Sequence, residues 1–334
     1  MRCYAAILIL LLLISSCDKP KSLGKEDHFL SEGILISNEG NFQWGNASVS
    51  FYDEEKDTLL QDVFQSVNQR PLGDVLQSIY LDDKYAYLVV NNSGKIEVVE
   101  KHSFDLQHTI SGFMSPRYFQ IVGPDKAYVS DLYADKIAVV DLNSNEIISH
   151  ISCEGWTEEM VQIDDLVYVA NLDSNQIHVI DAQNDFIVRD YTIPFDLNSL
   201  KMDSHNRLWV SGAHDQMGYV SIIDPLTMNV LNTYSIDTET PTNLWVSQDS
   251  KSAYFLSNGL WYIDLTIENS NPSLVIPTDG NLFYGFSVFS DKIYLADAVN
   301  YVQKGRVLVY DLSYSLVDEW EVGIIPSEFD LIQP

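Results

Sequence analysis

A repeat of about forty residues limits most strongly what this chain can fold into. Short runs of β-branched and aromatic residues recur in pairs, each pair separated by a polar cluster, and the first copy begins at Ile34. No copy contains a long stripe of 3.6-residue period, so the repeat indicates a four-stranded blade rather than a helical unit. Seven copies predict an all-β fold, a seven-bladed β-propeller. Its marker aromatics, spaced by 41, 40, 41, 45 and 40 residues, are Tyr87, Tyr128, Tyr168, Trp209, Tyr254 and Tyr294.

The two ends of the chain predict how the ring closes. No inner strand precedes Ile34, and the C-terminal segment 326–332 is similar to residues 115–121, which lie at an inner-strand position. We therefore expect the C-terminal strand to complete the first blade, which would remove the free edge of an open array. The chain is long enough for two or three domains, but the repeat assigns residues 31–334 to one propeller domain.

The amino terminus has the pattern of an export signal. The apolar run 5–14 is too short to cross a bilayer comfortably, and it ends in the segment LISSC, which resembles the lipobox of bacterial lipoproteins. We predict a signal peptide over residues 1–16, lipidation of Cys17, and a polar tether over residues 17–30. The remaining thiol, Cys153, has no His or Lys beside it and is predicted to be a buried spectator.

Acidic residues far outnumber basic ones. The 334 residues include 48 Asp and Glu against 19 Lys and Arg, and the net charge of −29 becomes −30 when residues 1–16 are removed. Nucleic-acid binding depends on clustered cations that neutralise phosphates. The composition therefore excludes DNA and RNA as partners.

One acidic residue per copy follows the third strand in nearly every blade. If strands A to D run outward, the A–B and C–D turns share one face, which we call the lower face. A carboxylate ring could hold metal ions, but Asp after a strand usually caps a turn by accepting backbone N–H groups. We favour turn capping and predict no metal site. These residues are Asp53, Asp141, Asp181, Asp224, Asp264 and Asp311.

The opposite, upper face carries the B–C loops and the D–A connections, and its residues vary more between copies. Aromatic walls with amides suit a bulky, polar, uncharged ligand, because rings bury area at low entropy cost while amides fix orientation. The alternative is that these residues only form turns and separate the blades. The predicted ligand-binding residues are Asn38, Trp44, Asn91, Asn92, Arg117, Asp131, Tyr133, Trp156, Asn198, His214, Asn243, Tyr284, Asp297 and Tyr301.

Motifs for chemistry are few. No two of the seven histidines have metal-ligand spacing, and the sequence contains no Gly-x-Ser-x-Gly elbow, Walker loop or dinucleotide fingerprint. Carboxylates such as Glu39, Asp74 and Glu158 could bind calcium or act as acid and base, but acids are common in this chain. The sequence favours a protein that is not an enzyme and has no catalytic residue and no cofactor, with calcium kept as an alternative.

Several upper-face segments carry a family resemblance. They are NEGN at 38–41, NAS at 46–48, PLGDVLQS at 71–78, VVNNS at 89–93, PRY at 116–118, DA at 297–298 and YVQKG at 301–305. In these segments the chain resembles the YncE-like seven-bladed propeller lipoproteins, which are anchored at the outer surface of Gram-negative bacteria. One branch, the vitamin B12-binding BtuG type, captures a corrinoid on the propeller face and passes it to a TonB-dependent transporter. The resemblance concerns the face as a region and assigns a role to no single residue.

Three kinds of function follow from these observations. The leading hypothesis is a lipid-anchored outer-membrane protein, facing the exterior, that captures a small molecule such as cobalamin for a TonB-dependent transporter. The second is a propeller enzyme of lactonase-like or quinoprotein-like kind. The third is a surface adhesion or interaction protein.

Overall fold

A computed structural model describes residues 30–237, 240–268 and 270–333, and these residues form seven four-stranded antiparallel sheets in a ring. The predicted signal peptide, Cys17 and most of the tether lie outside the described residues. Leu30, the first described residue, is already buried, and its N–H donates to the carbonyl of His102 at 2.7 Å. The predicted fold class, a seven-bladed β-propeller, is confirmed.

The strands follow one another in chain order, four to a blade. They are β1 (Gly33–Asn38), β2 (Ser48–Asp53), β3 (Thr58–Leu60), β4 (Leu76–Leu81), β5 (Tyr85–Val90), β6 (Lys95–Glu100), β7 (Leu106–Ser111), β8 (Pro116–Gly123), β9 (Lys126–Asp131), β10 (Lys136–Asp141), β11 (Glu146–Ser152), β12 (Thr157–Ile163), β13 (Leu166–Asn171), β14 (Gln176–Asp181), β15 (Phe186–Thr192), β16 (Asp196–Met202), β17 (Leu208–His214), β18 (Met217–Ile223), β19 (Val230–Ile236), β20 (Thr242–Val246), β21 (Ser252–Leu256), β22 (Gly259–Asp264), β23 (Ser273–Pro277), β24 (Phe283–Phe289), β25 (Lys292–Asp297), β26 (Lys304–Asp311), β27 (Leu316–Ile324) and β28 (Pro326–Ile332).

The ring closes as the sequence predicts. Blade 1 has the order β28-β1-β2-β3, and β28 pairs antiparallel with β1, with Ile36 opposite Phe329. Gly285 in β24 lies so close to blade 1 that a Cβ at this position would stand 1.7 Å from the Ser327 carbonyl oxygen. Only glycine therefore allows the inner strands of blades 7 and 1 to approach this closely.

The marker aromatics account for the repeat because they fill the same place in successive blades. All six are buried, with exposures between 0% and 5%. Two of them have polar partners near the lower face: the Tyr87 hydroxyl donates to Asp82 at 3.0 Å, and the Trp209 indole N–H donates to Asp203 at 2.9 Å. A buried aromatic side chain of this kind contributes on the order of 2–3 kcal/mol, so the period of the sequence reflects the main packing between blades.

A short helix interrupts the plan between blades 1 and 2, and the repeat did not predict it. Helix α1 (Val63–Asn68) follows the three-residue β3 and buries Val63 and Phe64. Asn68 ties the helix to blade 2, since its side chain donates to the Phe104 carbonyl at 3.0 Å and accepts from the Leu106 N–H at 2.8 Å. None of the helices in the described residues is long and apolar enough to span a membrane.

Candidate functional site

The acidic residues of the lower face are turn caps, as predicted. Asp141 Oδ1 accepts the N–H groups of Asn143 at 2.8 Å and Ser144 at 2.7 Å. These donors stabilise the carboxylate and lower its pKa below the ordinary value. Backbone donors within the turn play the same part, with the same lowering of pKa, at Asp53, Asp181, Asp224, Asp264 and Asp311.

Four of the predicted ligand-binding residues lie buried beneath the upper face, where their polar atoms serve the fold. Asn38 donates to the Ser50 hydroxyl at 3.1 Å, and Asn91 donates across to the Pro116 carbonyl of blade 3 at 3.0 Å. Asp131 accepts four backbone N–H groups, and Asp297 accepts two as well as bonds from Arg306. These four side chains hold the upper-face loops in place from beneath. A ligand on the upper face would therefore contact the loops rather than these buried side chains.

The exposed large apolar side chains of the upper face are concentrated on one half of the ring. Trp44 of blade 1 is 78% exposed, Tyr133 of blade 3 is 67% exposed, and Tyr301 of blade 7 is 44% exposed. The sequence-based list omitted Phe42, Met114 and Val302, which are also exposed there. Phe42 lies in the same polar loop as Trp44. A second large apolar residue in a polar loop is the sequence signal from which the exposure of Phe42 could have been predicted.

Hydrogen bonds join the loops of blades 7, 1 and 2 into one unit, which we call the rim (residues 41–46, 73–75, 91–94 and 299–302). Asn41 Nδ2 donates to the Tyr301 carbonyl at 2.5 Å, across the junction between blades 1 and 7. Asp74 Oδ2 accepts from the Gln43 N–H at 2.8 Å and from Asn92 Nδ2 at 2.5 Å. The rim therefore presents its aromatic residues from a connected support rather than from independent loops.

Inside the rim the inner strands, together with the loop that follows β1, bring together a polar cluster, which we call the floor (Glu39, Gln77, Arg117, Trp156, Glu158 and Tyr284). Arg117 Nε donates to Glu158 Oε1 at 2.7 Å, and another guanidinium nitrogen donates to Gln77. The Trp156 indole N–H donates to the same Glu158 oxygen, and the guanidinium lies 5.9 Å from the centroid of the indole ring. One carboxylate thus orients both the cation and the aromatic ring.

The opposite side of the floor comes from blades 1, 6 and 7. The Tyr284 hydroxyl donates to Glu39 Oε2 at 3.2 Å, and Asn243 Nδ2 donates to the Tyr284 carbonyl at 3.1 Å. The rings of Tyr284 and Tyr301 meet edge to face, with their centroids 5.8 Å apart. Asn198 of β16 lies half-buried on the inner strand of blade 5. Four predicted residues, Arg117, Trp156, Asn243 and Tyr284, are therefore brought together at the floor or directly beneath it.

Deeper carboxylates cap the free inner edges of neighbouring strands. Glu159 Oε2 accepts the Leu200 N–H of the next blade at 2.6 Å, and its other oxygen lies 3.0 Å from Lys201 Nζ. Glu328 Oε2 accepts the Ile79 N–H at 3.3 Å. These contacts satisfy backbone donors that an inner strand would otherwise leave unpaired.

Burial sets the protonation chemistry of this region. It raises the pKa of Glu39, Glu158 and Glu328 to about 7, although Tyr284, Arg117 and Lys201 respectively oppose the shift. Carboxyl groups of this kind exchange protons near neutral pH, so they could serve as hydrogen-bond donors or as acid and base.

His214 lies apart from the floor, at a cavity of about 270 Å³ between blades 4 and 5 whose walls include Tyr191, Phe195 and Tyr219.

Cys153 is buried, and burial raises the pKa of its thiol to about 12, in agreement with the predicted spectator role. Within the described ranges, no three His, Cys, Asp or Glu side chains converge in a way that could hold a metal ion.

Solved structures with this fold come from several bacteria. A quinonprotein alcohol dehydrogenase-like protein of Bacteroides thetaiotaomicron superposes with a TM-score of 0.74 at 14% identity, over 91% of this chain and 79% of that one. A putative 6-phosphogluconolactonase of Bacteroides fragilis gives 0.69 at 14% identity, over 91% and 98%. Hydrazine synthase of Kuenenia stuttgartiensis gives 0.66 at 15% identity, over 76% and 93%. Identities this low show the shared fold alone.

Among curated proteins, none matches this sequence. Residues 32–304 match a family that is described as a domain of unknown function, DUF5074. Because this match extends from the start of β1 in blade 1 to the start of β26 in blade 7, the protein belongs to the DUF5074 family.

Proposed function

We propose that this protein is a non-catalytic capture protein whose upper face binds a bulky, polar small molecule, with cobalamin or a related corrinoid as the ligand. The observation that carries the proposal is the aromatic rim above a polar floor. Trp44 and Tyr301 offer exposed rings, and the floor beside them offers amide, guanidinium and carboxyl groups. Large planar surfaces and a few fixed polar groups are what recognition of such a ligand requires.

The cellular setting belongs to the same proposal. The LISSC segment that ends at Cys17, together with the resemblance to YncE-like lipoproteins, supports a lipid-anchored protein on the exterior of the outer membrane. Captured ligand would then pass to a TonB-dependent transporter. Cys17→Ala should abolish incorporation of labelled palmitate and release the protein from the outer-membrane fraction; retention of both label and membrane association would contradict the anchor.

Calorimetric titration of the lipidated protein in detergent with cyanocobalamin and cobinamide tests the ligand. We expect a dissociation constant of about 1 µM or below, which corresponds to roughly −8 kcal/mol. No heat and no spectral change at 100 µM ligand would overturn the corrinoid assignment. Co-purification of a TonB-dependent transporter from intact outer membranes would support the transfer step, and its absence from crosslinked membranes would contradict it.

A second candidate function is supported by the chemistry of the floor. Glu39 and Glu158 have pKa values of about 7 beside Arg117, an arrangement suited to acid–base work of the lactonase-like kind. Lactone hydrolysis that disappears in Glu39→Gln and Glu158→Gln would favour an enzymatic function over ligand capture.

Thermal melts with calcium and with chelator test the calcium alternative, because a bound ion stabilises the folded state by mass action.

A further inference from the structure

The floor contains more acid than base, and one of its carboxyl groups has no cationic partner. Arg117 is committed to Glu158 and Gln77. Within the described residues Glu39 forms no salt bridge, and the direct partner of its carboxylate is the neutral Tyr284 hydroxyl at 3.2 Å. Glu39 is therefore the floor carboxyl group whose charge is least compensated.

The groups that face Glu39 come from four blades. Arg117 of blade 3 attracts its negative charge, while Glu328 of blade 1 and Glu158 of blade 4 repel it. Tyr284 of blade 7 donates to it, and the ring of Tyr301 packs against Tyr284. Beneath them lie the charged and titratable groups Tyr118, Glu159, Lys201 and Asp330. The two cations among these groups are outnumbered by Glu39, Glu158, Glu159, Glu328 and Asp330.

A ligand on the rim would cover this floor and remove water from it. Loss of water disfavours an ionised carboxylate, and a protonated carboxyl group can donate a hydrogen bond to a carbonyl. An anionic group on the ligand would meet excess acid and a guanidinium that is already engaged. The floor therefore suits neutral hydrogen-bonding groups such as carboxamides.

We propose that Glu39 makes ligand capture proton-linked. The floor accepts neutral ligands that carry amide groups, and the Glu39 carboxylate takes up a proton when the bound ligand covers the floor. This inference rests on the proposed capture function. The carboxyl group gains its proton from solvent, and no covalent bond of the ligand changes. Affinity then falls as pH rises, because binding at high pH requires a protonation that is unfavourable in the free protein.

Calorimetry with cyanocobalamin, which carries carboxamide arms, at pH 6 and pH 8 in two buffers of different ionisation enthalpy tests the binding. Because the pKa of Glu39 is about 7, affinity should drop about tenfold between these pH values, with proton uptake visible as buffer-dependent heat. Glu39→Gln, a permanently neutral mimic, should vary less than threefold. Glu154→Gln alters an exposed carboxylate in the D–A connection between blades 3 and 4 and should retain the wild-type dependence. Equal pH dependence in wild type and Glu39→Gln would overturn the proposal.

Thermal melts of the ligand-free protein examine the floor independently of any ligand. The melting temperature of the wild type should fall by several degrees more than that of Glu39→Gln between pH 5 and pH 8, since the variant keeps the other buried carboxyl groups but no longer ionises one at position 39. If cyanocobalamin and cobinamide bind at neither pH, the capture function and its proton linkage both fail, whereas the melts still decide whether Glu39 titrates in the floor. Identical melting curves would overturn that part as well.

Discussion

Acidic residues occur on both faces of the ring, but their surroundings shift their pKa values in opposite directions. On the lower face Asp141 and its equivalents accept backbone N–H groups, which lower their pKa values. At the floor and directly beneath it, burial raises the pKa of Glu39, Glu158 and Glu328 to about 7. The lower-face carboxylates thus stabilise the fold in their charged form, whereas the floor carboxyl groups stabilise it in their neutral form. Carboxyl groups thus perform a structural task on one face and make the other face sensitive to pH near neutrality.

Removing a buried upper-face acid should give the largest loss of stability. Asp297→Ala leaves the N–H groups of Leu282 and Val299 unpaired and takes away the buried carboxylate partner of Arg306, at a cost of about 3 kcal/mol. Urea unfolding measures the change. Asp311→Ala in the same blade, on the lower face, is the matched control; a loss as small as that of the control would show that Asp297 does not lock its loop.

Neutralising Glu328, one of the deeper carboxyl groups beneath the floor, should stabilise the protein at pH 8. The folded-state pKa of Glu328 is about 7 against an ordinary 4.5, so its contribution is present below about pH 4.5 and is lost as pH rises towards 7. Glu328→Gln should therefore flatten the decline in free energy of unfolding between pH 4.5 and pH 8, by about 2 kcal/mol. Unfolding by urea at several pH values tests this, and an unchanged slope would contradict the assignment.

Truncating two exposed rim aromatics, or the half-buried Trp156 of the floor, should weaken binding without altering the fold. We expect Trp44→Ala, Tyr301→Ala and Trp156→Ala each to raise the dissociation constant for cyanocobalamin about tenfold, because each removes apolar contact with the ligand. Phe186→Ala, an exposed ring on the outer strand of blade 4, is the control. Calorimetry with circular dichroism separates binding from folding; unchanged affinity in all three variants would place the site elsewhere.

The lower-face caps should have the smallest individual effects and the opposite pH sign. The stability contributed by Asp141 is present above its ordinary pKa and disappears as pH falls through its lowered folded-state pKa. Asp141→Ala should cause a small loss at pH 7 that vanishes near pH 2, as measured by urea unfolding. A loss that persists undiminished in acid would mean that the turn does not depend on the carboxylate.

Much of the fold was predictable, because strand alternation and the buried aromatics repeat locally. The closing strand was also predictable, since residues 326–332 resemble another inner strand. Helix α1 escaped prediction because it is an insertion that occurs in one blade only. The exposure of Trp44 could be predicted from the polar loop in which it lies. The burial of Asn38 and Asp297 could not be predicted, because amides and carboxylates occur both in exposed turns and as buried side chains that hold loops by hydrogen bonds.

The sequence by itself determined the number of blades, the pattern of strands, the turn-forming acids and the predicted export signal, because each depends on residues close together in the chain. Only the tertiary structure decided which polar residues meet at the floor and directly beneath it. Glu39, Arg117, Glu158, Tyr284 and Glu328 belong to four different blades, and closure of the ring brings them together. Their protonation depends on burial and on neighbours remote in sequence, which no local pattern records.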